Sequence, residues 1–158
     1  MKIQILFLTI LLISSLQSFS QQIHSSSPVQ FNAEIAKKLG ADEFGMKNYV
    51  MAFLKSGPVK LTDSLKREEL QKAHLKNIMR MAEEGKLIIA GPFMDDQPLR
   101  GIFIFDVATI EEARQLTSTD PAIKAGTLIM ELHPWYGPAA LKEILPLQKQ
   151  VQKRSFTE

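Results

Sequence analysis

The chain has 158 residues, 45% of them hydrophobic and 23% charged, an ordinary globular composition whose length suits one domain. A formal net charge of +2 leaves no electrostatic footprint for nucleic acid. The absence of cysteine excludes disulfides and a lipid attached to an N-terminal cysteine, so the domain must be held by its core.

Met1 and Lys2 precede an unbroken apolar run, IQILFLTILLISSL, that ends at Leu16. Ser18 and Ser20 follow at small-x-small spacing. This pattern predicts a cleaved signal peptide over residues 1–20. The run is shorter than the ~20 residues that a spanning helix needs. The expectation is an exported protein, periplasmic or secreted, with no stable membrane insertion after cleavage. Residues 21–46 form a leader. QQIHSSSPVQ is polar and Ser-rich, which predicts disorder, and NAEIAKKLG suits a short helix stopped by Gly40.

Patterned sequence begins at Lys47. NYVMAFLK is a strand, with aromatic and branched residues. Asp63 or Ser64 can cap a helix running to about Glu84, and Gly85 ends it. KLIIAGP is a second strand, stopped by Gly91 and Pro92, and RGIFIFDV is a third. Thr109 caps IEEARQLT, whose Glu111 and Glu112 offset the helix dipole. TDPAIKAG is a tight turn segment, TLIMELHPW a fourth strand, and GPAALKEILPLQKQVQKR a terminal helix broken at Pro146. The domain therefore spans 47–137 and the C-terminal helical extension 138–158.

The order β-α-β-β-α-β predicts an α+β, ferredoxin-like protomer with an antiparallel sheet. Such sheets normally leave one face to water. Here both faces are apolar: Val50, Ala52 and Leu54 oppose Tyr49, Met51 and Phe53, and Phe103 and Phe105 oppose Ile102 and Ile104. Helices cover one face. The other calls for a second subunit, a ligand cavity, or the terminal helix. A homodimer is the economical choice.

On a helical wheel Leu70, His74, Ile78, Met81 and Ala82 fall on one stripe, opposite Lys72, Lys76, Arg80 and Glu83. His74 is thus either a core histidine bonded to backbone or a general base or acid, since imidazole ordinarily titrates near neutrality. A base needs an orienting partner, and Asp120 is the candidate. Asp120 also suits a helix cap, with Pro121 at the first helical position, and a carboxylate has acceptor positions for both roles. His133, on the last strand beside Glu131, is a rim or contact residue. Together with Gly91 and Pro92 it is a candidate for substrate binding. His74, His133 and Asp120 lack any local ligand spacing, so no metal is expected. No Gly-rich phosphate loop or nucleophile elbow is present.

HLKNIMRMAEEGKLIIAGP, an EEA helix, DPAIKAG and a final strand ending in PW together resemble the YCII-related family over roughly Tyr49 to Trp135. The resemblance implies a dimeric α+β barrel of ferredoxin-like protomers. It also implies a His–Asp pair in a cavity between helix and sheet, which falls on His74 and Asp120. Members similar in sequence include a dehydrochlorinase acting on a chlorinated hydroxyquinol. Two positions depart from the family pattern: Ala122 stands where an aromatic usually follows D-P, leaving a different or larger pocket wall, and Ala73 stands where Arg often precedes the histidine.

Two functions follow as expectations. One is an enzyme without cofactor that moves a proton on a small, aromatic or hydroxylated substrate, by isomerase, lyase or dehydrochlorinase-like chemistry. The other is a non-catalytic exported dimer that binds a small ligand or a partner.

Overall fold

The computed structural model describes residues 29–156. The signal-peptide expectation and most of the disordered stretch expected in the leader lie outside them. From Ala33 onward the elements are α1 (Ala33–Leu39), β1 (Met46–Ser56), α2 (Ser64–Glu83), β2 (Leu87–Pro92), β3 (Leu99–Phe105), α3 (Ile110–Thr117), α4 (Pro121–Lys124) and β4 (Leu128–Pro138). A 3₁₀ helix (Ala139–Glu143) and α5 (Ile144–Val151) follow.

The starts of α2 and α3 are set by local chemistry. Asp63 accepts hydrogen bonds from the Leu65 and Lys66 amides at the head of α2, and Thr109 accepts from Glu112 at the head of α3. Gly85, at φ +68°, ends α2 in a left-handed conformation that a side chain would resist.

The strands form one antiparallel sheet in the order β2-β3-β1-β4, the ferredoxin-like arrangement. The chain is therefore α+β, as its pattern predicted. Val50, Ala52, Leu54, Phe103 and Phe105 point toward the helices and pack with Met81 and Ala113. On the opposite face Tyr49, Ile88 and Ile104 form a second buried cluster.

Three boundaries differ from the sequence reading. β2 runs through Gly91 and Pro92, which pair with Ile102 and Gly101, rather than stopping there. Pro92 is tolerated because β2 is an edge strand. β4 continues past Trp135 to Pro138 because β1 begins at Met46 and offers it partners that far. The terminal helix breaks at the 3₁₀–α junction before Ile144. Pro146 lies in the first turn of α5, where a missing N–H costs nothing.

The terminal segment partly covers the second face. Leu141 and Trp135 pack on the Tyr49 cluster, and the Tyr49 hydroxyl donates to the Pro138 carbonyl at 3.0 Å. Beyond that end Met51, Phe53 and Ile102 stay half-buried, and Ile129 is 49% exposed.

Candidate active site

His74 and Met81 are buried seven residues apart on α2, two turns along the face that meets the sheet. The His74 ring lies nearly parallel to that of Phe103, with centroids 6.2 Å apart and planes inclined by 16°.

Asp120 ends the loop after α3 and is fully buried. Its Oδ1 accepts the Ala122 N–H at 2.8 Å, the cap of α4, and its Oδ2 stands 2.7 Å from His74 Nδ1. Capping and pairing therefore coexist, one oxygen to each. Asp120 is placed by its own short helix, and α4 is held against α2.

A charged oxygen at Nδ1 favours the ring tautomer that carries its proton there. The other nitrogen, Nε2, then presents a lone pair. Nε2 has no hydrogen-bond partner among the described residues, and no buried side-chain nitrogen or oxygen there lacks one, so Nε2 is the ring edge that keeps access to solvent.

Asn77 is a neighbour that the sequence reading missed. Its Oδ1 accepts from Thr119 Oγ1 and from Arg80 Nη2, both at 3.0 Å, which turns its amide N–H₂ toward Asp120 Oδ2 at 3.5 Å. Its position three residues after His74, on the same helical face, was the available signal.

The other sequence candidates do not join this pair. His133 lies on the opposite face of the sheet, opposite Met51 in the β1–β4 register. There its Nε2 meets Glu131 at 2.9 Å and its ring meets the edge of Phe53. The period of two along β4 makes this unavoidable, because Leu132 faces the helices. The set of two histidines and one carboxylate is therefore not assembled. Gly91 and Pro92 are ladder residues of the edge strand.

A cavity of about 370 Å³ lies near the pair, although neither His74 nor Asp120 lines it. Leu70, one turn before His74, and Ala122 lie in its wall. The small side chain after D-P thus borders open space.

A sequence profile of the YCII-related domain matches residues 49–136. The chain belongs to the YCII-related domain family. The matched stretch of this YCII-related protein begins in β1, ends in β4 and contains both His74 and Asp120. A solved structure, 5-chloro-2-hydroxyhydroquinone dehydrochlorinase from Burkholderia phenoliruptrix AC1100 in complex with 2,5-dihydroxybenzoquinone, is similar at 22% identity and a TM-score of 0.41. The likeness covers 56% of this chain and 93% of that one. No curated protein matches the chain.

Proposed function

We propose that this YCII-related protein is an exported enzyme without cofactor that moves a proton on a small molecule. The observation that carries the proposal is the buried contact of 2.7 Å between His74 Nδ1 and Asp120 Oδ2, with Nε2 left free. Nε2 acts as the base. Asp120 fixes the tautomer and stabilises the imidazolium that forms when Nε2 takes a proton. Proton removal of this kind opens isomerisation, elimination and dehydrohalogenation alike, on an aromatic or hydroxylated substrate. In this reading the protein is a homodimer joined through the second sheet face, where Ile129 is exposed and Phe53 and Ile102 are half-buried.

The test is turnover of a panel of small phenols and hydroxylated acids, followed by ¹H NMR in D₂O. His74→Gln and Asp120→Asn should each lower turnover by about a hundredfold or more with the fold intact by circular dichroism. Undiminished turnover in folded His74→Gln would contradict the proposal. Binding without turnover by the wild-type chain would favour a ligand-binding dimer instead.

A further inference from the structure

The cavity lined by Leu70 and Ala122 has a one-sided charge. Its charged lining is Lys60, Arg67 and Arg100, with no carboxylate. None of the three is in an ion pair among the described residues.

Both guanidinium groups are held in place without being neutralised. Arg67 Nη1 donates to the Leu61 and Thr62 carbonyls at 2.9 and 2.8 Å. Arg100 Nη1 donates to the Gln97 and Asp95 carbonyls at 3.3 and 3.4 Å. The remaining guanidinium N–H groups of both have no partner among the described residues.

Arg100 reaches this cavity through a break in strand alternation. Leu54 stands opposite Gly101 and Lys55 opposite Leu99, so Arg100 is an extra residue in the β1–β3 ladder. A bulge of this kind re-aims a side chain. Here it leaves Arg100 in one wall with Leu128 and Ala122, on the side of the sheet that carries the helices.

Three cations in a concave, partly apolar site concentrate positive potential and repel one another until an anion enters. Two forks of guanidinium N–H donors suit the planar geometry of a carboxylate. Val59, Leu61 and Leu70 add apolar wall that a bare inorganic ion would not use.

We propose that this cavity is an anion subsite that takes the carboxylate of a small organic acid, whose body extends along Leu70 toward His74. That the acid is the substrate rests on the His74–Asp120 reading. That the cavity binds a carboxylate does not.

The experiment uses 4-hydroxybenzoate and its neutral isostere 4-hydroxybenzamide as probes, titrated into the full mature chain by calorimetry and ligand-observed NMR. The acid should bind roughly tenfold more tightly than the amide, and added salt should narrow the gap. Arg100→Gln and Arg67→Gln should each reduce the preference, and the double variant should abolish it. Because Arg67 also ties down the Leu61–Thr62 backbone, Arg100→Gln in a chain with unchanged thermal unfolding is the deciding variant. His74→Gln should keep the preference, which separates this subsite from the proton-transfer reading. Inorganic phosphate at equal concentration should not displace the acid. Equal binding of acid and amide, no binding of the acid at millimolar concentration, an unchanged preference in folded Arg100→Gln, or displacement by phosphate would each overturn the proposal.

Discussion

Asp120 holds His74 with one carboxylate oxygen and its own helix cap with the other, at 2.7 and 2.8 Å. The group that orients the imidazole is therefore positioned by backbone that folds locally, within two residues.

Because the two oxygens have separate partners, their losses separate by substitution. Asp120→Ala strands the Ala122 N–H and the His74 ring together, and should cost about 3 kcal/mol. Asp120→Asn keeps an acceptor for the cap and should cost about 1 kcal/mol. Urea unfolding at neutral pH measures both. Equal losses would show that the cap contributes nothing.

A close backbone approach beside the cavity demands glycine. A Cβ on Gly57 would stand 2.1 Å from the Gly126 carbonyl oxygen, whereas one on Gly91 would meet nothing within 4 Å. Gly57→Ala should destabilise by about 1–3 kcal/mol, and Gly91→Ala by no more than about 0.5 kcal/mol. Gly91→Ala should also leave binding of the acid probe unchanged, because Gly91 does not line the cationic cavity. Thermal unfolding and probe titration check both statements.

Two groups make stability depend on pH in opposite directions. Burial alone would raise the Asp106 carboxyl, but hydrogen bonds and charge from Lys47 and Lys142 hold it below the usual carboxylate range. A depressed acid contributes stability above its unfolded value, and that stability is lost as the pH falls through the folded value. Asp106→Asn should flatten the acid limb of the stability profile. Burial, reinforced by the Asp106 charge, pushes the Tyr49 hydroxyl from 10.0 up to about 12. Its contribution is complete below 10.0 and is lost as the pH rises toward about 12. Tyr49→Phe should flatten the alkaline limb. Denaturant midpoints across the pH range read both.

Ile129, 49% exposed, lies on the second face, through which the proposed dimer forms. Ile129→Lys should yield a folded monomer in analytical ultracentrifugation, because it would place an unpaired charge in an apolar contact. A wild-type chain that is already monomeric would remove the dimer from the proposal.

Much of this was legible in the sequence because it is local. Asp63, Thr109 and Asp120 are caps whose partners lie two or three residues away, and the facing of Val50 against Tyr49 follows from a period of two. The meeting of His74 with Asp120 spans 46 residues. Helical spacing turned His74 inward and left Asp120 as a candidate partner with a competing role as a cap; the family likeness then favoured the pairing. The bulges had no local signature. They leave Ile88 between Leu87 and Ile89, and Arg100 between Leu99 and Gly101. Alternation carried through those points would put Arg100 on the wrong side of the sheet. The cationic cavity was invisible for the same reason, since its charges come from a loop, a helix and a bulged strand.

The most direct test is the ¹⁵N NMR spectrum of the His74 ring in the purified protein, assigned with His74→Gln and repeated in Asp120→Asn. The neutral wild-type ring should carry its proton on Nδ1 and present Nε2 as an acceptor. In Asp120→Asn the side-chain N–H₂ should face the ring and move the proton to Nε2. A wild-type ring protonated on Nε2, or the same pattern in both proteins, would contradict the claim that Asp120 prepares His74 to take a proton.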